Sequence, residues 1–158
     1  MNISKRIQHK RKAVTGAAFV LFLFVFMIVT ALTIEYYHIY TLKEHIDTEM
    51  ARACNIATDI AMIDEYRQAH ISKMDSSVAN TEFERYLHED MRLNSANQFM
   101  DKGRVLYTLV ISKQIPTETP ACYEVQGVIR TKPVLLSKLV PINIEIPFKE
   151  RSRNQRFE

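Results

Sequence analysis

From Ala13 to Ile34 the chain runs 22 residues without a charged side chain, and its centre, Phe19 to Val29, is apolar at every position. At 1.5 Å per residue such a run makes a helix of about 33 Å, against a hydrocarbon core of about 30 Å. A helix apolar on all sides is not a surface helix, and a domain of this size has too little chain to enclose one. The pattern predicts a transmembrane helix over residues 14–34. The run exceeds the apolar region of a cleavable secretory signal, about 7 to 15 residues, and leads into Glu35, Tyr36 and Tyr37 rather than a small-x-small site. A retained anchor is therefore expected.

Past the run the apolar period becomes seven. Ile39, Ile46, Ala53 and Ile60 form one row and Leu42, Ile56 and Ile63 a second, which Glu49 interrupts. No glycine or proline lies between Ala17 and Ser72, so an amphipathic stalk helix is expected over 35–72. Its stripe can seat on the chain's own sheet or on another helix. Ser72 to Asn80 reads as a loop, and Thr81 as the cap of a shorter helix through Phe83, Tyr86, Leu87, Met91 and Leu93. After Gly103 the period falls to two. Val105 to Ile111, Tyr123 to Thr131 and Ile142 to Phe148 predict three strands, with Pro116, Pro120, Pro133 and Pro141 punctuating an antiparallel meander. The fold class expected is α+β: a long N-terminal transmembrane and amphipathic helix packed on a small antiparallel sheet of about three strands, with 73–158 as the extracytoplasmic domain.

Charge sharpens the topology. The net +3 is an end effect, because residues 1–12 hold five of the 21 Lys and Arg, leaving 16 against 18 acids. That excess before the run places a basic leader, 1–13, in the cytoplasm and the C-terminal domain outside. It also removes the case for a nucleic-acid partner. Tyr36, Tyr37 and Tyr40 fall where an aromatic belt meets the outer headgroups. No phosphate loop, His-Glu-x-x-His or Cys-x-x-Cys occurs, so no catalytic, cofactor-binding or metal site is assigned and no small-molecule substrate is expected. His45 and Glu49, four apart, read as solvated stalk residues. Cys54 and Cys122 are the only cysteines; on the outer side they can form a disulfide stapling helix to sheet, or stay as two buried thiols.

The basic leader, the apolar helix continuing into an amphipathic one, the Ala-rich Met50-Ala51-Arg52-Ala53-Cys54-Asn55-Ile56-Ala57 and the late strands together resemble the type IV pilin-like proteins, most of all the TadE-like pseudopilins of tight-adherence (Flp) pilus systems. The resemblance implies a pilin-like fold and prepilin cleavage between Gly16 and Ala17. Its further implication is a non-enzymatic minor subunit, held by membrane lipid, that joins other pilin-like or envelope assembly proteins through the face of Ile39, Leu42, Ile46, Ala53, Ile56, Ile60 and Ile63. The alternative is a bitopic accessory or scaffold subunit of another cell-envelope complex, never cut.

Overall fold

The charge-free run and the seven-residue stripe belong to one helix, α1 (Ile3–Ala61). The computed structural model describes residues 3–64, 72–135 and 142–152, and the chain divides into two units, Met1–Ile39 and Tyr40–Glu158. Two polar side chains near the end of the apolar run are satisfied within the helix. The Thr30 and Thr33 hydroxyls each donate at 2.9 Å to the carbonyl four residues earlier, Phe26 and Val29, which a solvent without hydrogen-bonding partners would demand.

In the second unit α1 stops at Ala61, within the span expected for the stalk helix. The stop is imposed by tertiary pairing, which explains why no glycine or proline announces it. Met62 forms an antiparallel bridge with Met74, and Ile63 N–H donates to the Lys73 carbonyl at 3.1 Å. Asp75 N–H then takes the free Ala61 carbonyl at 2.9 Å, one of the acceptors that a helix end leaves open. The rest of the expected stalk, 65–71, lies outside the described residues.

Helix α2 (Ser76–Glu89) starts five residues before the expected Thr81 cap. Asp75 is the cap: its Oδ1 accepts from Ser77 N–H at 2.8 Å, Val78 N–H at 3.2 Å and the Ser77 hydroxyl at 2.6 Å. Thr81 bonds back to the Ser77 carbonyl instead. Met91 and Leu93, expected within the helix, are buried in the turn after it, where Arg92 adopts a left-handed φ of 56°. The Ser77 hydroxyl, then the two backbone N–H groups, hold the Asp75 carboxyl below the usual carboxylate range. A lowered folded pKa stabilises above the unfolded value of about 3.9 and is lost as pH falls through the folded one. Asp75→Ala should therefore lower the melting temperature at neutral pH. Asp75→Asn should keep most of it but lose this part of the acid dependence, as thermal melts between neutral and acid pH would reveal. Equal melting of all three proteins at pH 7 would refute the cap.

Among the described residues the sheet has four strands in the order β1 (Gln98–Asp101), β2 (Arg104–Thr117), β3 (Cys122–Thr131), β4 (Ile144–Arg151), all antiparallel neighbours. β1 is the strand the sequence pattern missed. Pro116, expected between strands, sits inside β2 opposite Tyr123; β1 is too short to reach it, so the missing N–H lies on an open edge. One face of β3 (Tyr123, Val125, Gly127, Ile129, Thr131) is wholly buried. Ile46, Met50, Ala53 and Ala57 of α1 are fully buried in the same core, and Phe83 of α2 stacks its ring on Tyr123 with centroids 5.1 Å apart. The Tyr123 hydroxyl, buried with that ring, donates to Asn80 Oδ1 at 2.9 Å, removing the cost of an unpaired polar group.

Candidate functional site

In the first unit the most distinctive feature is an exposed apolar surface. Phe19 to Val29 are all 44% or more exposed, and the most apolar 18-residue window has no buried residue. Among the described residues this is the one helix long and apolar enough to cross a membrane. Phe22 and Phe26 stack along it at 6.5 Å. Gly16 and Ala17 lie inside α1, exposed, and a Cβ at Gly16 would meet nothing within 4 Å. Glu35, the first acid after the run, is buried, while Tyr36 and Tyr37 are exposed.

The structure splits the amphipathic stripe between two roles. Ile46 and Ala53 are fully buried in the domain's own core and are closed to any partner, whereas Ile60 is 50% exposed. Leu42, Ile56 and Ile63 are half-buried in the second unit, and Ile39 is half-buried at the end of the first. The deepest row shifts toward Met50, Cys54, Ala57 and Ala61, because the helix keeps a period of 3.6 rather than 3.5 and the buried line drifts around it.

Cys54, facing inward on α1, and Cys122, opening β3, are both buried and both free thiols. Burial pushes the Cys54 thiol up to about 12, with Glu150, Cys122 and Glu124 adding to the effect. The Arg151 Nε–H donates to Cys122 Sγ at 2.7 Å.

Glu49, which interrupts the second row, is the residue whose role the sequence hid. Its Oε2 accepts from the Tyr86 hydroxyl at 2.7 Å and its Oε1 from Arg52 at 3.0 Å, so it ties α2 to α1. The signal was available as an acid on an apolar row. These three residues, with His45, Arg92 and Tyr107, line a cleft of about 400 Å³. Burial, then the Glu49 hydrogen bond, raises Tyr86 to about 12, and burial raises Tyr107 to about 12. Both phenols are shifted away from ionisation, and the Glu49–Tyr86–Arg52 chain of hydrogen bonds joins α2 to α1. Among the described residues no group of three or more His, Cys, Asp or Glu side chains is placed to hold a metal ion. The apolar surface of α1 and the folded unit after it remain the features from which a function must be read, since no family model matches the chain and neither a curated protein nor a solved structure does.

Proposed function

We propose that this chain is a membrane-anchored, non-enzymatic assembly component of a surface filament or secretion pseudopilus, of the TadE-like minor pilin kind. In this reading α1 crosses the cell membrane once, with the basic leader in the cytoplasm and the α+β domain outside. The observation that carries it is the wholly exposed apolar run: outside a bilayer this surface would be a severe aggregation hazard, and inside one it supplies the holding energy for a subunit awaiting extraction. The long helix followed by a meander sheet, with Ile60 left open beyond the core, further supports a subunit that packs helix on helix.

A second reading, the permanently anchored accessory or scaffold subunit, is favoured by two observations. Ile46 and Ala53 are spent on the domain's own core. Position 21, where the pilin-like pattern puts a glutamate five residues after the cut, is leucine. Intact mass and N-terminal sequence of the protein from its native membranes decide between the two, measured beside a strain lacking prepilin peptidase. A peptidase-dependent start at Ala17 is the expected result; a chain starting at Met1 in both strains transfers the proposal to the accessory subunit.

A further inference from the structure

The cleft bordered by Glu49, Tyr86 and Arg52 is formed by one side of α1, the turn after α2, and the strands β1 and β2. All of its lining residues belong to the second unit, and its volume of about 400 Å³ suits a small ligand or the end of a chain. Its inner wall is apolar and aromatic. Tyr86, Met91 and Tyr107 are buried, and Phe99, half-buried, stacks on Tyr107 with the ring planes 9° apart.

The two phenols in that wall differ in their bonding. Tyr86 donates to Glu49 at 2.7 Å. Tyr107 is 6% exposed and lines the same cleft, yet its hydroxyl has no hydrogen-bond partner among the described residues. A buried tyrosine hydroxyl normally finds a partner, and the cleft is where this one can meet it. Arg92 adds an exposed guanidinium with no ion pair or hydrogen bond among the described residues. Its left-handed φ of 56° is one that glycine or asparagine adopts with less strain. Arg52 gives Glu49 one N–H at 3.0 Å and keeps the rest of its fork. Three side chains therefore bring donors to one cleft, and Glu49 cannot answer them, because its two oxygens already accept from Tyr86 and Arg52.

We infer that this cleft binds a carboxylate with an aromatic group close behind it, the carboxylate taking the donors of Tyr107, Arg92 and Arg52 and the ring lying against Phe99 and Met91. Guanidinium and phenol groups are directed donors that suit a carboxylate. Charge favours a monoanion: Arg52 and Arg92 are balanced by Glu49 and Asp90, with His45 neutral, so a phosphate dianion would find no net positive field to hold it. The same chemistry is presented by a free aromatic acid and by the C-terminus of a partner chain that ends in an aromatic residue. The inference is independent of the membrane-anchored reading, since it uses the second unit alone.

The test titrates the full chain, in phosphatidylcholine nanodiscs, with N-acetylphenylalanine and with its amide, reading binding by calorimetry against empty nanodiscs. The acid should bind, and the amide should bind at least about tenfold more weakly, as should the acid to Tyr107→Phe and to Arg92→Gln, each of which removes one hydrogen bond to a charged group. Tyr107→Phe keeps the ring and its stack on Phe99, so it should melt no lower than the wild type; a hydroxyl with a structural role would lower the melting temperature instead. A longer peptide ending in phenylalanine separates the two sources: tighter binding than N-acetylphenylalanine assigns the cleft to a partner's C-terminus, equal or weaker binding to a free acid. No binding of the acid, equal binding of acid and amide, or wild-type affinity in either variant would overturn the inference.

Discussion

Gly127→Ala should lower the melting temperature of the domain by about 8 °C, a cost near 2 kcal/mol. A Cβ at this position would lie 2.5 Å from the Val110 carbonyl oxygen and 2.6 Å from Phe148 Cζ. The first contact arises because β2 bulges between Ile111 and Lys113 directly opposite Gly127, bringing backbone beneath a position that ordinarily has room for a side chain. The second is the Phe148 ring, buried across the Gly127–Phe148 pair. Glycine in a strand gives up about 0.5–1 kcal/mol to alanine through chain entropy, but overpacking against backbone costs toward the top of about 1–3 kcal/mol, because a carbonyl cannot rotate aside. A double-mutant cycle with Phe148→Leu separates the neighbours. Trimming the ring should reduce the cost of Gly127→Ala without abolishing it. Full rescue would mean that the carbonyl contact relaxes freely, and the bulge would no longer explain the glycine.

The same bulge shows what a single sequence discloses. Alternation in Val105 to Ile111 and Tyr123 to Thr131 is a local consequence of facing a core, so β2, β3 and β4 were readable, and with them the α+β class and the meander. β1 was not. Gln-Phe-Met-Asp has too few residues to show a period, and what makes it a strand is the pairing of Phe99 with Tyr107, whose rings stack at 5.3 Å. The length of α1 failed for a related reason, its stop being set by Met74 and Asp75 on a returning segment. The start of α2 was missed because the same polar residues, Asp75, Ser76 and Ser77, that cap and open it also read as a loop. In the stripe, composition marked which residues are apolar, whereas burial on the chain's own sheet decided which stay open, and that depends on a drift of the helix face over several turns. Glu49 needed the fold itself, because Tyr86 is 37 positions away.

Two aspartates in the apolar run, Phe22→Asp with Phe26→Asp, should shift the protein from the alkali-resistant membrane pellet to the soluble or aggregated fraction. Ten of the eleven residues from Phe19 to Val29 are Phe, Leu, Val or Ile. Each favours insertion by about 0.3–0.6 kcal/mol, so the run supplies about 3–6 kcal/mol, while each central aspartate costs about 2.5–3.5. One substitution leaves the balance near zero and should yield a mixed population. Two cost about 5–7 kcal/mol while removing two contributing phenylalanines, which reverses the sign. The two sites also stack on one helix face, so the new charges would repel and add to the penalty. Ile60→Asp with Ile115→Asp makes the same charge change at two exposed positions of the folded unit and should stay in the pellet. If the aspartates at 22 and 26 left the pellet fraction unchanged, membrane association would have to come from outside this run, and α1 would lose the role on which the proposed function depends.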